Sequence, residues 1–517
     1  MRPRFNTSGP CIPDEHYMLP PQRRLHHVLE LIEDHRYFTL HAGRQTGKTT
    51  SARWLVEHLN RGGLFHALWV DVQDARELSD PVRAFELVLD DLDRAVRRDL
   101  PDLAAPTGPA RELHPPRSAI RRYLEDLAAR APRPLVVLLD EVDGLVGEAM
   151  VSLLTQLRQG YIDRDRVPFP ASVALVGMRQ VRDYVLRQED RHVLAWLGTT
   201  SPFNITAEAA TLGPFAEAEV GELCDQHTSA TGQRFAPAAI ARIYDLGQGH
   251  PWLTNALADQ IVRRDVKDRA VEVTAEHVDA AKETIILERR THIDSLVARL
   301  REERVRRIVA PMLAGDRTTE DVLDDDFAYV AGLGLVRRRE GRWVMANPIY
   351  QEVVPRALTY VQQGQIANEP AWYVRPDGSL DVPKLMADWQ DFWREDGHLA
   401  ANAFGYREAG PHLMLMAFLQ RIVNGGGTIV REYGLGRGAL DLLIEWRGQR
   451  HAIEVKLRRG PTTEDRALEQ VARYLDRLGL SDGWLVMFDL RKGPSWDEKI
   501  TQREVEHDGK RVHVVGC

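Results

Sequence analysis

Lysine is scarce in this chain: of 68 basic residues among 517, only 8 are lysine. Arginine has been used almost wherever a positive charge is needed. Ammonium and guanidinium are not interchangeable, because one is a compact point charge and the other a planar fork. A lysine that persists against this bias therefore marks a place where chemistry asks for it. Lys48 is the only lysine in the first 266 residues, and Lys456 the only one between Lys384 and Lys492. Cysteine is scarcer still. Cys11, Cys224 and Cys517 lie far apart and show no metal-ligand spacing, which excludes a disulfide framework or a cysteine zinc site and fits a reducing compartment.

Long hydrophobic runs are also missing. The longest purely aliphatic stretch, Leu135 to Leu139, falls far short of the roughly 20 residues of a membrane span. The start, Met1-Arg-Pro-Arg-Phe-Asn-Thr, has no apolar leader. The expectation is a cytoplasmic protein with no membrane partner. Charge of one sign is absent too. The net charge is −8, and residues 401–517 carry 18 Lys and Arg against 16 Asp and Glu, the remainder 50 against 60. A uniformly basic coat is excluded, so any nucleic-acid surface is local, with the C-terminal part the better place for it.

What is present is length enough for about three or four domains. Residues 36–42 read as a strand running into a glycine-rich turn, followed by a helix from Lys48 to about Asn60. Leu68-Trp-Val-Asp-Val reads as a second strand, 80–99 as an amphipathic helix, 101–117 as a proline-rich loop, and Leu135 to Leu139 and Val173 to Val176 as buried strands. Strands alternating with helices imply an α/β fold with a doubly wound parallel sheet over 1–213. From 214 to 285 the pattern is helical. Residues 286–360 end in two short strands around a turn at Glu340–Gly341, a winged-helix pattern. A helical connector, 361–400, contains Pro370, Pro376 and Pro383. A compact α/β unit fills 401–517: a helix near 411–424, strands near 427–433, 439–446 and 451–457, a helix over 463–479 and a strand over 484–489.

The first constellation is Ala42-Gly43-Arg44-Gln45-Thr46-Gly47-Lys48-Thr49, followed by Thr50, a Walker A pattern with Ala in place of its first Gly. Gly47 lets the backbone turn close to phosphates, and successive backbone N–H groups at a helix N-terminus cradle them. Lys48 would reach the β- and γ-phosphates of ATP and the Thr49 hydroxyl would ligate Mg²⁺. The buried run Leu135-Val-Val-Leu-Leu ends in Asp140-Glu141, placed to hold Mg²⁺ through water and to polarise the attacking water. Asp143 reads as a solvated loop acid.

Phe5-Asn-Thr-Ser-Gly-Pro, His16-Tyr17 and Arg24, followed by Arg44-Gln-Thr-Gly-Lys-Thr-Thr, resemble prokaryotic AAA-like ATPases related to the STAND and archaeal-type groups. Gly177-Met-Arg179-Gln-Val-Arg-Asp183-Tyr is similar to their sensor-1 segment, and Gly249-His-Pro-Trp-Leu to their GxP motif. The resemblance spans about 1–355. It implies that Arg179 senses the γ-phosphate, that His250 and Pro251 fold a helical lid onto the nucleotide, and that His16 and Tyr17 lie near the adenine. Arg187 and Arg191 are candidates for a finger acting on a neighbouring subunit. The resemblance also implies nucleotide buried at subunit contacts, so an ATP-dependent homo-oligomer is expected.

The second constellation reads Asp441-Leu-Leu-Ile-Glu-Trp, a turn at Arg447–Gly448, then Ala452-Ile-Glu454-Val-Lys456. Two adjacent strands would deliver Asp441, Glu454 and Lys456, the last two on one face because they are two apart. Carboxylate oxygens suit hard cations, a bound cation polarises a phosphodiester and its own water, and Lys456 would orient that water or offset developing charge. This resembles the PD-(D/E)xK nuclease superfamily, with Leu-Asp for the usual Pro-Asp. Gln470-Val-Ala-Arg-Tyr474 is like the QxxxY motif of its RecB-like branch, which places both side chains toward the metal. Asp441 and Glu454 are then ligands of Mg²⁺ or Mn²⁺, with Glu408 or Glu432 as the further acid. The combined expectation is an ATP-hydrolysing, Mg²⁺-dependent nuclease acting on nucleic acid, DNA first, under ATP control, and the resemblance to ATPase–nuclease fusions implies prokaryotic defence or mobile-element biology. The alternative is a STAND-like switch or DNA-binding regulator whose nuclease fold does not cut.

Overall fold

The computed structural model describes residues 3–104, 116–177, 206–288, 299–300, 302–313, 325–339, 341–358, 373–397, 411–412, 414–416, 418–419, 427–435, 438–458, 460, 462–491 and 493–517. The chain forms two compact units: Met1–His292 with Asp324–Arg337, and Ile293–Leu323 with Arg338–Cys517. The residues expected to form a winged helix are thus divided between them.

The first unit is built on a five-stranded sheet in the order β2-β3-β4-β1-β5, with β1 Tyr37–His41, β2 His66–Asp71, β3 Leu135–Asp140, β4 Ser172–Gly177 and β5 Thr206–Thr211. Every pairing is parallel. Such a sheet is covered on both faces, so its strands read as continuous apolar runs rather than alternations. One face (Leu68, Val70, Val137, Leu139, Leu175) packs against α3 Pro81–Asp99, α4 Pro116–Arg130 and α5 Gly147–Ile162 through Phe85, Val88, Leu124 and Leu153. The other (Phe38, Leu40, Leu138, Val176) packs against α1 His26–Glu33 and α2 Lys48–Gly62 through Ile32, Leu55 and Val56. α3 starts where Asp80 accepts the Val82 N–H at 3.0 Å and Pro81 supplies a preset φ.

Four helices follow: α6 Glu217–Thr231, α7 Pro237–Gly247, α8 Pro251–Gln260 and α9 Ala275–Leu287. The turn into α8 needs Gly249, whose φ is +71°; a Cβ there would stand 1.9 Å from the Phe215 carbonyl oxygen. Next come α10 Glu303–Leu313, α11 Asp325–Gly332, the paired strands β6 Val336–Arg339 and β7 Arg342–Met345, and α12 Pro348–Leu358.

The second unit carries a six-stranded mixed sheet in the order β12-β13-β11-β10-β9-β8. Its strands are β8 Thr428–Leu435, β9 Gly438–Trp446, β10 Gln449–Leu457, β11 Asp482–Phe488, β12 Thr501–His507 and β13 Lys510–Gly516. One face (Leu442, Ile444, Ile453, Val455, Phe488) buries Leu385, Met386 and Trp389 of α13 Val382–Phe392, together with Trp393 and Phe418. The other (Leu443, Ala452, Leu485, Met487) buries Val471, Tyr474, Leu475 and Leu478 of α14 Thr463–Leu478. α13 lies in the stretch read as a connector, and its apolar side belongs to the core of this sheet. The strands β5, β12 and β13 had no counterpart in the sequence reading. No helix among the described residues is long and apolar enough to cross a membrane.

Candidate functional site

The turn after β1 is shaped by Gln45 and Gly47, both at positive φ (+58° and +92°). It brings the Lys48 ammonium back onto the carbonyl oxygens of Ala42 and Gly43, at 2.9 and 3.0 Å. The loop is therefore closed on its own lysine, with Thr46 Oγ1 donating to the Gly43 carbonyl at 2.8 Å. Burial lowers the Lys48 ammonium, while Asp140, Glu141 and Asp143 act the other way.

At the end of β3, Asp140 Oδ2 accepts from Thr49 Oγ1 at 3.2 Å and from Trp69 Nε1 at 3.1 Å. Asp140 Oδ1 takes the Glu141 N–H at 3.0 Å. Thr49 and Asp140 thus present hard oxygen donors to one point beside the loop, a set that fits Mg²⁺. Glu141 sits at φ +57°, a left-handed conformation that costs a non-glycine residue about 1 kcal/mol and tends to mark functional turns. Burial, then Asp143 and Asp140, raise its carboxyl above the ordinary range.

His250 caps α8, accepting the Leu253 N–H at 3.4 Å, and Pro251 begins that helix. The imidazole is hydrogen-bonded to the Arg44 backbone and partly buried. Burial, with Arg24 and Lys48 nearby, pushes it down to about 4, so it is neutral at physiological pH. His250 therefore fixes the helical layer to the loop by hydrogen bonding, without adding charge. Thr50 Oγ1 turns to the Cys11 N–H at 3.0 Å. The polar atoms of His16 and Tyr17 are engaged elsewhere: His16 Nδ1 takes the Ile12 N–H at 3.0 Å, and Tyr17 OH pairs with His227 Nδ1 at 3.2 Å. Arg179, Asp183, Arg187 and Arg191 lie outside the described residues.

Arg24 contributes more than the sequence reading gave it. Its guanidinium donates to the Thr46 carbonyl at 3.0 Å and to the Gly213 carbonyl at 2.9 Å, and lies over the Phe215 ring. Trp69 was read only as a strand residue. A tryptophan in a buried strand does need a partner for its N–H, and that was the available signal.

In the second unit, β9 and β10 pair antiparallel with Leu442 opposite Ile453, which brings Asp441 beside Glu454. Asp441 Oδ2 accepts the Val455 N–H at 2.8 Å, and Glu454 Oε2 accepts the Asp441 N–H at 3.3 Å. Lys456 Nζ stands 2.6 Å from Glu454 Oε1 and 3.6 Å from Asp441 Oδ2. On α14, one turn apart, Gln470 Nε2 donates to Tyr474 OH at 3.1 Å. Tyr474 is close enough for Glu454 to help raise its phenol, after burial. All five named residues are therefore gathered on the α14 side of the sheet. Glu408 lies outside the described residues, and Glu432 lies in β8. Among the described residues no group of three or more His, Cys, Asp or Glu forms a metal-binding set. The two facing carboxylates nonetheless fit a hard divalent cation by donor chemistry.

Glu454 is fully buried, and desolvation together with Asp441 pushes its carboxyl up to about 8 against the opposing Lys456 ammonium. Lys456 itself is raised: burial opposes its charge, but Asp441 and Glu454 outweigh that. The sign for stability follows from proton counts. Between the ordinary value of 4.5 and about 8 the folded state binds more protons at Glu454 than the unfolded state does, so stability falls as pH rises through that window. In chelator, Glu454→Gln should gain thermal stability relative to the parent as pH rises from 5 to 8. A pH-independent difference between the two melting temperatures would contradict a carboxyl held this high.

Residues 32–185 match the family model described as an AAA domain. With the loop, Thr49 and Asp140 arranged as above, this stretch is a P-loop domain of the AAA type. Among solved structures the chain is similar to a Walker-type ATPase of Pyrococcus abyssi at 14% identity and a TM-score of 0.47, over 68% of this chain and 98% of that one. It is similar to Cdc6p of Pyrobaculum aerophilum at 13% identity and 0.37, over 66% and 95%. For the RuvB Holliday junction branch migration motor of Thermotoga maritima the values are 15% and 0.32, over 63% and 90%. A search of curated proteins found no match.

Proposed function

We propose that this chain binds and hydrolyses ATP in its first unit and cleaves nucleic acid, DNA in the first place, in its second, with ATP controlling the cut. The observation that carries the second half is the convergence of Asp441, Glu454 and Lys456 beside Gln470 and Tyr474. In the first unit, Lys48 would leave the Ala42 and Gly43 carbonyls for the β/γ-phosphates, and Glu141 would orient the attacking water. Thr49 and Asp140 would hold Mg²⁺, which offsets charge on the phosphates when bound. In the second unit, Asp441 and Glu454 would hold Mg²⁺ or Mn²⁺, supplying Lewis acidity toward the scissile phosphate. Lys456 would fix the attacking water by its point charge, and Gln470 would touch substrate or hold Tyr474. A role in prokaryotic defence or mobile-element biology follows from the resemblance to ATPase–nuclease fusions.

A second reading, a switch whose C-terminal fold binds nucleic acid without cutting, draws on one feature. Asp441 and Glu454 each spend a carboxylate oxygen on a strand amide. Plasmid and single-stranded substrates incubated with the purified protein and Mg²⁺, with and without ATP, separate the two. Binding without Mg²⁺-dependent cleavage on any substrate would favour the switch.

The AAA-type core also implies association, since such cores commonly place nucleotide at subunit contacts. Glu141→Gln, which should bind ATP without turning it over, is expected to form larger species with ATP than without. Mass photometry reads this directly. A monomer under both conditions, at concentrations where wild type is active, would remove the homo-oligomer from the proposal.

A further inference from the structure

Trp69 occupies a position on β2 at the sheet edge, one strand away from Asp140. Its surroundings are unusually complete. The indole N–H reaches Asp140 Oδ2 at 3.1 Å, on the same oxygen that Thr49 Oγ1 approaches at 3.2 Å. The guanidinium groups of Arg53 and Arg98 each lie 4.9 Å from the ring centroid. The backbone is held as well, although an edge strand leaves its outward N–H and C=O without a neighbouring strand. The Trp69 N–H donates to Asp99 Oδ2 at 3.0 Å, and the Trp69 carbonyl accepts from Arg98, which is itself paired with Asp99. Ring plane and strand edge are therefore fixed from α2 and α3, and the indole N–H by Asp140 at the end of β3.

We propose that Trp69 is a positioning residue for the metal: it sets the Asp140 carboxylate in the orientation that lets Asp140 and Thr49 serve one divalent cation. This rests on the ATP-site reading above. The physical reason is the confinement of Asp140. The carboxylate is buried, and one of its oxygens, Oδ2, is held by the Trp69 indole N–H at 3.1 Å on the side where the Thr49 hydroxyl approaches at 3.2 Å. A hydrogen bond to a buried carboxylate restricts its rotation. Outer partners that orient a metal-binding group typically tune metal affinity by about 10- to 100-fold. On the ATP-site reading the Asp140 carboxylate acts through water, so a smaller factor is expected.

The test replaces the N–H while keeping an aromatic ring between the two arginines. Trp69→Phe in the full chain should bind Mn²⁺ about 5- to 10-fold more weakly in the presence of ADP, read by electron paramagnetic resonance. Affinity for a fluorescent ATP analogue in EDTA should stay within about twofold, since Trp69 touches no phosphate-binding group. The Mg²⁺ concentration for half-maximal hydrolysis should rise in parallel with the Mn²⁺ dissociation constant. A purely structural role would instead lower stability and turnover without moving the metal dependence. Should Trp69→Phe fail to fold, Arg98→Ala, a half-exposed change that loosens the ring and its carbonyl, should raise the Mn²⁺ constant about two- to threefold. Unchanged Mn²⁺ binding in whichever variant folds overturns the proposal. A wild-type chain that neither binds ATP nor hydrolyses it overturns the ATP-site reading, and the role of Trp69 with it.

Discussion

Lys48→Ala should lose ATP hydrolysis by at least about 100-fold, the scale associated with removing one preorganised charge from a developing transition state. Lys48 Nζ has two carbonyl partners within the loop, Ala42 and Gly43, and both are lost with the amine. Gly43 keeps the Thr46 hydroxyl, but the buried Ala42 carbonyl loses its Lys48 donor; such a loss costs about 1–3 kcal/mol, so the variant should also melt earlier, and a melting curve must accompany the rate. Lys48→Arg separates charge from shape. The enclosed space accepts a compact ammonium, and a planar fork cannot reach both carbonyls and later the phosphates from the same stem. It should be nearly as inactive as the alanine variant. Glu141→Gln should retain nucleotide and lose turnover by a comparable factor, because the amide cannot polarise water. Retained wild-type hydrolysis in Lys48→Ala would mean that the loop is not where ATP is split.

The parts of the fold that were legible are those whose signal is local. β1, α2 and β3 announce themselves through a glycine-rich turn, a lone lysine and an aliphatic run closed by two acids. β9, β10 and α14 do so through Asp441, Glu454, Lys456 and the Gln470–Tyr474 spacing. The strands that went unread carry little such signal. β5, Thr-Ala-Glu-Ala-Ala-Thr, is alanine-rich and has no β-branched run to mark it. β12, Thr-Gln-Arg-Glu-Val-Glu-His, is an exposed edge strand of almost wholly polar side chains, a composition that protects an edge and hides a strand. α13 looked like part of a linker because prolines surround it, yet Pro383 sits in its first turn, where the ring is tolerated. Contacts made over long sequence separation were invisible for a different reason. Nothing near Trp69 says that its N–H will meet Asp140, 71 residues away, and nothing near Arg24 says that it will hold Thr46 and Gly213. Such partnerships are fixed by sheet order and helix packing rather than by spacing.

Glu454→Gln and Asp441→Ala should each abolish nucleic-acid cleavage, by about 1000-fold or more, while ATP hydrolysis continues at the parental rate. Each removes a carboxylate that would hold the cation, and with it both the activation of water and the offset of charge on the scissile phosphate. The glutamine is nearly isosteric with Glu454, so the buried strand position stays filled and loss of cleavage is not a folding effect. Lys456→Arg should be impaired almost as severely. Lys456 Nζ sits 2.6 Å from Glu454 Oε1 and 3.6 Å from Asp441 Oδ2, a space made for a point charge where a water must also fit. Gln470→Ala should cost less, because Gln470 contacts Tyr474 OH and neither carboxylate directly among its hydrogen bonds. Control by ATP adds a further expectation: Lys48→Ala, in the other unit, should cut more slowly than the parent when ATP is present. That requires ATP to bind the cutting-competent state more tightly than the resting one, since a ligand of equal affinity for both shifts nothing. A plasmid-nicking assay run on all five variants with Mg²⁺, with and without ATP, reads the cleavage outcomes, and phosphate release from ATP reads the hydrolysis rate. Equal cleavage by Lys48→Ala and the parent would leave two independent enzymes on one chain, and full cleavage by Glu454→Gln would end the nuclease assignment.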